Sequence, residues 1–283
     1  MSSRIRLQLD DDAIPTTVRG ALRDIFRNHF AGLMLLSILI TLGFAAKLAI
    51  DWAFNTYIGM NAAVMEEEGH TAQEIAIQTM TLRVGQFALG IPALMLGALF
   101  MGAGAHVIRK WFYGEPTRLV HDFFREGFAQ TWNSSLLGGF VLGLGILLVI
   151  FDVSYLDLMG FPPIATVILG IFQGLVLLFV LHMTIFAVAS ETVYKLDLWP
   201  RIKNSALFGG VLYLPSIGVD IITLALPVCY IVFVNLYFQI FCVLIFLFIG
   251  SSLFVLIWFA YAQWAFHRYV NKRRNIRIND RDY

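Results

Sequence analysis

The residues of this chain that could do chemistry are a few polar side chains inside long apolar stretches. Asp220 is the only acidic residue well inside such a stretch, and Lys47 lies inside another. A charged group in hydrocarbon is costly, so each must be paired, protonated or part of a substrate or proton site. Gln173 and Gln239 are candidate neighbours of a site around Asp220. Lys47 could pair with Asp220 and so fix helix packing, or it could engage Asp51 one helical turn later.

Motifs that would support catalysis are absent from the sequence. The chain contains no HExxH for zinc, no GxxxxGK for a nucleotide and no CxxC pair. Ser251 has no base at a matching depth, because we expect His106 and His182 near the opposite side of the membrane as interfacial hydrogen-bonding residues. The acidic run at residues 66–68 lacks the alternating oxygen ligands of a calcium loop. We therefore predict no enzyme activity, no cofactor and no metal site.

Six apolar stretches position these residues, and each is near the roughly 20 residues that cross a bilayer core. They are residues 30–54, 84–108, 136–156, 164–190, 206–228 and 238–266. With the N-terminus in the cytoplasm, only Lys47 and Arg83 of the 20 Lys and Arg residues fall outside. We therefore predict an all-α bundle of six transmembrane helices with both termini cytoplasmic. At 1.5 Å per residue, Asp220 lies roughly 21 Å and Lys47 roughly 25 Å from the cytoplasmic ends of their spans.

The spans divide the chain into three parts. Residues 1–29 form a cytoplasmic segment, in which residues 16–30 combine an apolar face with three arginines and predict an amphipathic interfacial helix. Residues 30–266 form the transmembrane domain, and residues 267–283 form a basic cytoplasmic tail. With 59% hydrophobic residues and a mean hydropathy of +0.75, the chain has no room for a soluble domain. The basic residues indicate orientation in a lipid bilayer and not binding of nucleic acid.

Two connecting segments carry helix signals. Residues 119–132 repeat apolar side chains at spacings of three and four, which predicts a cytoplasmic amphipathic helix between spans two and three. This helix either packs at the membrane interface or couples to a cytoplasmic ATPase. Outside the membrane, Thr71 and Glu74 have the spacing of a capping box, so the helix of span two should begin outside the bilayer.

Small residues and prolines predict how the spans pack. Gly139 and Gly143 in span three, and Gly170 and Gly174 in span four, have the four-residue spacing that allows close helix contact. Prolines at positions 92, 215 and 227 should kink or end their helices, which makes span five the expected irregular element. The cysteines at positions 229 and 242 either form a disulfide or act as small apolar residues.

Several stretches resemble a known family. They are Pro92 followed five residues later by Gly97, RKWFYGE at residues 109–115, DFFREGF at 122–128 with Trp132, and RIKNSALFGGVLYLP at 201–215. Over roughly residues 84–273 the chain resembles the YesL family of bacterial membrane proteins, whose biochemistry is uncharacterised. The resemblance implies a protein of the bacterial cytoplasmic membrane that accompanies a carbohydrate uptake system. The cytoplasmic loops lack the docking signature of a sugar permease itself.

Two hypotheses follow for the function. The first is an accessory protein that contacts subunits of a sugar importer through aromatic and basic residues on its cytoplasmic loops. The contact candidates are Phe123, Phe124, Arg125, Trp132, Trp199, Arg201, Lys203 and Asn204. The second is a stand-alone transporter of a small solute that uses an intramembrane site around Asp220.

Overall fold

A computed structural model of the protein describes residues 18–194, 196–225 and 236–271, without the side chains of Asp157, Leu236, Gln239 and Asn271. No strand occurs within these ranges. The helices are α1 (Val18–Asn28), α2 (Phe30–Gly43), α3 (Ala45–Glu67), α4 (Ala72–Phe112), α5 (Leu119–His121), α6 (Phe128–Leu158), α7 (Pro163–Val193), α8 (Leu198–Val211), α9 (Tyr213–Thr223), α10 (Leu236–Ile245) and α11 (Ser251–Phe266). π-helical turns at Asp122–Gly127 and Phe246–Gly250 join α5 to α6 and α10 to α11, and a third at His267–Asn271 extends α11.

Within the described residues, four helical stretches are long and apolar enough to cross a bilayer on their own: Ala72–Phe112, Leu119–Leu156, Pro163–Val193 and Ile240–Val270. Two further candidates are helix pairs with a sharp bend, 89° between α1 and α2 and 84° between α8 and α9. The chain is therefore an all-helical protein with four to six candidate membrane spans, as its apolar pattern predicts. The helix at residues 18–28 is amphipathic as expected, since Ala21 and Ile25 are buried while its arginines are exposed.

Helix α4 is much longer than a bilayer is thick. Its 41 residues extend about 62 Å at 1.5 Å per residue, against a hydrocarbon core of about 30 Å. Together with α3 it forms a helical hairpin that turns at Gly69, where φ is +80°. Thr71 accepts a hydrogen bond from the Glu74 N–H, and Glu74 accepts one from the Thr71 N–H at 2.8 Å. The predicted capping box is confirmed.

The helix before span three differs from the prediction. The expected separate amphipathic helix at residues 119–132 is instead the beginning of the continuous helix Leu119–Leu156. Residues 128–137 contain no glycine or proline, so nothing in the sequence interrupts the helix between the amphipathic repeat and the apolar span. The one irregularity is the π-helical turn Asp122–Gly127, at which Phe123 enters the core.

Glycine contacts bring α6 against α4. A Cβ on Gly139 would lie 2.8 Å from the Met95 Cα, and one on Gly143 would lie 3.2 Å from the Ile91 side chain. The predicted close contact is confirmed for span three. For span four it is wrong, since a Cβ on Gly170 would only reach Val153 at 4.0 Å and one on Gly174 would meet nothing within 4 Å.

The prolines have different effects. Helix α4 continues through Pro92 and does not end there. Pro215 lies in the first turn of α9, just after the bend at Leu212. The irregularity predicted for span five is therefore confirmed, although Pro227 and Cys229 lie outside the described residues and the proposed disulfide stays a prediction.

One end of the bundle collects most of its described basic residues, and we call it the basic end. The end of α4, the beginning of α6 and the end of α7 lie there. Gln130 near the beginning of α6 donates a hydrogen bond to the Thr192 carbonyl oxygen near the end of α7, at 3.1 Å. Arg109, Lys110 and Arg118 lie at this end. Fully buried apolar side chains of α2, including Leu33, Leu36 and Ile40, form the neighbouring core with α4 and α11.

Candidate functional site

The bend between α8 and α9 creates the polar site of the bundle. From the basic end, α8 runs antiparallel along α7, because Arg201 contacts Glu191 and Gly209 packs against Met183 further along α7. At Leu212 the chain then turns by 84° into α9. The Tyr213 hydroxyl donates to the Leu175 carbonyl oxygen of α7 at 2.7 Å and holds the beginning of α9 in place.

Helix α9 brings Asp220 against His182 of α7. The His182 Nε2 and Asp220 Oδ2 atoms lie 2.7 Å apart, within hydrogen-bond distance. His182 is 0% exposed and Asp220 is 4% exposed. The rings of Tyr213 and Trp258 have centroids 5.5 and 5.4 Å from the imidazole. The chain therefore contains a buried imidazole and carboxylate pair in an aromatic environment.

The pair has unused hydrogen-bonding capacity. His182 Nδ1, Asp220 Oδ1 and the nearby Trp258 Nε1 are buried and have no hydrogen-bond partner among the described residues. Most buried polar atoms in proteins are hydrogen-bonded, because a lost partner costs free energy. Three such atoms on adjacent side chains indicate a place where a proton or a polar ligand group could bind.

The predicted pairing of Asp220 with Lys47 is wrong, and the alternative with Asp51 is confirmed. A straight span five would place Asp220 at a depth similar to that of Lys47, but the 84° bend at Leu212 turns α9 away from that axis. Lys47 Nζ lies 2.5 Å from the Asp51 carboxylate and 5.0 Å from the centre of the Phe87 ring. Lys47 therefore belongs to the α3–α4 hairpin and not to the site around Asp220.

The hairpin supplies hydrogen-bond partners for its own basic residues. Gln86 of α4 donates to Asp51 of α3 at 2.9 Å, and Arg83 of α4 donates to Asn55 of α3 at 2.6 Å. Both basic residues that the sequence predicted outside the membrane, Lys47 and Arg83, have partners within this hairpin.

Gln173, one of the two glutamines predicted near Asp220, lies away from the pair. Gln173 donates to Asp152 of α6 at 2.5 Å and precedes His182 by nine residues, roughly 14 Å along α7. It therefore joins α6 to α7 elsewhere. The side chain of Gln239 lies outside the described part of the chain.

The sequence missed His182, which we expected to be an interfacial residue near the end of span four. It is instead the partner of Asp220. One signal in the sequence could have predicted this contact. His182 and Asp220 are both ionisable residues in otherwise apolar spans, and each needs a partner there. His106 does lie at the basic end as expected, with its Nε2 3.5 Å from Glu126 Oε2. It is buried, however, and neither of its ring nitrogens makes a hydrogen bond among the described residues, so the predicted hydrogen-bonding role is wrong.

Two of the predicted contact residues are buried. Phe123 is 0% exposed and lies against Phe124 and Phe128. Arg201 is 7% exposed, and its guanidinium contacts Glu191, the Ser134 hydroxyl at 3.1 Å and the Leu196 carbonyl oxygen at 2.6 Å. Neither side chain is accessible to a partner protein, because each completes the interior of the basic end.

The other predicted contact residues are exposed at the basic end. Trp199 has the most open side chain among them, at 75% exposure. The remaining exposed candidates are Phe124, Arg125, Trp132, Lys203 and Asn204. Trp199 and Lys203 are four residues apart on α8, so they lie on one face of the helix.

Within the described residues, one cluster combines three groups that could ligate a metal. His121, Asp122 and Glu126 offer atoms within 4.8 Å of one another. The Lys110 ammonium already lies 3.1 Å from Asp122 Oδ2 and 2.5 Å from Glu126 Oε2, so it supplies the positive charge for both carboxylates. This cluster joins the end of α4 to the beginning of the next helix.

No family model, curated protein or solved structure matches this chain. The resemblance to the YesL family therefore stays a prediction from the motifs in residues 84–273. The function has to be argued from the geometry of the site.

Proposed function

We propose that the protein is a carrier of the bacterial cytoplasmic membrane that moves a small solute together with a proton, and that His182 and Asp220 form its proton site. In this proposal the chain has six spans, with α1 in the membrane interface, α2 and the bent pair α8–α9 inserted, and both termini in the cytoplasm. The distribution of basic residues supports this orientation, which makes the basic end the cytoplasmic end. The observation that carries the proposal is the buried pair at 2.7 Å on a broken helix.

The chemistry of the pair supports proton binding. Histidine is the side chain whose ordinary protonation equilibrium lies nearest to physiological pH. Ionisable residues inside membrane domains often form proton relays or substrate sites. A charge in the bilayer costs free energy, so such residues are rare at positions without a function. A proton that enters or leaves the pair changes the charge of the buried cluster, and this gives a solute site next to it two electrostatic states.

The bend supports movement of the site. In many carriers, substrate and ion sites lie where a transmembrane helix is interrupted. Here the 84° bend at Leu212 allows α9 to approach His182 while α8 stays fixed to α7 through Arg201 and Glu191. A change in the His182 and Asp220 contact would therefore act first on α9.

Proton flux into proteoliposomes tests this proposal. Vesicles that contain the purified protein and a trapped pH-sensitive dye are given a membrane potential with potassium and valinomycin, with and without a panel of candidate solutes. We expect Asp220→Asn and His182→Gln to lower solute-dependent proton flux by at least about ten-fold, while expression and folding persist, because each removes one member of the pair.

A matched control is Asp152→Asn, which changes another acid of the helical bundle that contacts Gln173. This variant should keep flux within about two-fold, since Asp152 lies outside the proton site. Unchanged flux in folded Asp220→Asn, or equal losses in Asp220→Asn and Asp152→Asn, would refute the proton site.

A second candidate function is the accessory role next to a sugar importer. It is favoured by the exposed face of α8 that carries Trp199 and Lys203, together with the resemblance to the YesL family. A photo-crosslinking amino acid at position 199 in the native bacterium should capture permease or ATPase subunits of a sugar importer. A control probe at Met60, which is also exposed but lies in the α3–α4 hairpin, should not. Recovery of the protein alone or only with itself would exclude this role.

A further inference from the structure

A cavity of about 150 Å³ lies between α4, α6, α7 and α11. Small side chains open it, notably Gly102 and Ala105 of α4 and Ala189 of α7. Trp258 of α11 forms part of its wall, and the same Trp258 ring lies 5.4 Å from the His182 ring. The cavity is therefore a direct neighbour of the buried His182 and Asp220 pair.

The lining of the cavity determines what it could hold. It contains no charged side chain, and its polar side chains are Ser135, Thr184 and Trp258. Thr184 already donates to the Val180 carbonyl oxygen at 2.9 Å. Ser135 Oγ and Trp258 Nε1 are buried within the wall, where neither atom is exposed to a ligand in the cavity. A ligand in this cavity therefore meets an apolar surface.

These features exclude two ligand classes. A monosaccharide carries several hydroxyl groups, and most of them would lose their hydrogen bonds to water without replacement. A charged ligand would lack a counter-charge on the cavity wall. A volume of about 150 Å³ between apolar walls has room for a molecule the size of benzene.

We propose that this cavity binds a small, uncharged, apolar molecule. The inference that this molecule is the transported solute rests on the proposed carrier function. The inference that the cavity binds such a molecule does not depend on that function. It predicts that the solute is not a carbohydrate.

Fluorine NMR of the purified protein in detergent tests the site, with two probes of nearly equal shape. 4-Fluorobenzyl alcohol carries one hydroxyl group, and 4-fluorotoluene carries none. We expect saturable binding of both probes above their partition into empty micelles, and no competition by glucose. 4-Fluorotoluene should bind about five-fold more tightly than the alcohol, because the hydroxyl group loses a hydrogen bond to water without replacement. Ser135→Ala should leave the binding of both probes within about two-fold, because the serine hydroxyl does not face the cavity.

A second variant tests the location. Ala189→Leu adds a branched side chain to the cavity wall and should weaken both probes by at least about ten-fold, because it occupies their volume. The inference is overturned if binding is not saturable, if glucose competes, if the alcohol binds more tightly than 4-fluorotoluene, or if the folded Ala189→Leu variant binds both probes normally. It is also overturned if native mass spectrometry shows a retained lipid that the probes cannot displace.

The failure of this site and the failure of the carrier function give different results. His182→Gln should keep probe binding within about two-fold while it removes proton-coupled flux. Normal binding without any proton-coupled flux in the unaltered protein would refute the carrier and keep the site. Flux that responds to a solute but no saturable probe binding would keep the carrier and refute this cavity as its solute site.

Discussion

The burial of Arg201 gives the sharpest prediction about stability. The guanidinium contacts Glu191, the Ser134 hydroxyl and the Leu196 carbonyl oxygen. In Arg201→Ala, the Glu191 carboxylate stays buried and, of its partners in the described part of the chain, keeps only the Ser134 N–H at 3.1 Å. Removal of one partner of a buried ion pair costs about 3–5 kcal/mol, because the other charge is left uncompensated. We expect the free energy of unfolding to fall by that amount.

A double-mutant cycle measures the pair itself. Unfolding in mixed micelles with increasing SDS gives the free energy for Arg201→Ala, Glu191→Ala and the double variant. The double variant should be more stable than the sum of the single changes implies, by a coupling of about 1–3 kcal/mol. Arg201→Lys should be intermediate, because lysine keeps the charge but loses the planar, two-pronged contact.

Lys203→Ala is the matched control, since Lys203 is exposed on the same helix and its loss should change stability by at most about 0.5 kcal/mol. If Arg201→Ala behaves like Lys203→Ala and the double variant shows no coupling, the buried contact is refuted. Arg201 would then return to the set of surface residues that the sequence suggested.

Two further predictions concern local structure. Gly139→Ala should lower the free energy of unfolding by about 1–3 kcal/mol, because its Cβ would lie 2.8 Å from the Met95 Cα. Gly174→Ala is the control and should be neutral or slightly stabilising, since a Cβ there meets nothing within 4 Å. Unfolding in SDS compares the two variants. Equal effects would contradict the close contact of α6 with α4. Thr71→Ala should destabilise the beginning of α4 by about 1 kcal/mol, because the Glu74 N–H loses its acceptor, and amide hydrogen exchange in that first turn should become faster. Unchanged exchange would show that the capping box does not hold the helix end.

The proposed functions differ in which end of α8 they need. The accessory role needs the exposed face at the beginning of α8, where Trp199 and Lys203 lie. The carrier role needs the opposite end, where the chain bends into α9 and reaches His182. A chain with Trp199→Ala and Lys203→Ala should therefore lose an importer partner and keep proton flux, while Asp220→Asn should do the reverse.

The sequence by itself determined the features that depend on neighbours along the chain. Apolar stretches of about 20 residues predict membrane helices because hydrocarbon leaves no other partner for the backbone. The capping box of Thr71 and Glu74 and the amphipathic α1 are equally local, since their residues are three or four positions apart. The contact of Lys47 with Asp51 belongs to the same class, although the sequence could not choose it over Asp220.

The tertiary structure decided which distant polar groups meet. Asp220 finds His182, 38 residues away, because the chain bends by 84° at Leu212, and no count of residues along a straight helix predicts that position. Arg201 looked like a surface residue in a basic loop, but α8 packs so closely on α7 that Glu191 takes up its charge. A buried charge must have a partner, and the sequence shows that need; which residue meets it depends on helix bends and close contacts that only the folded chain contains.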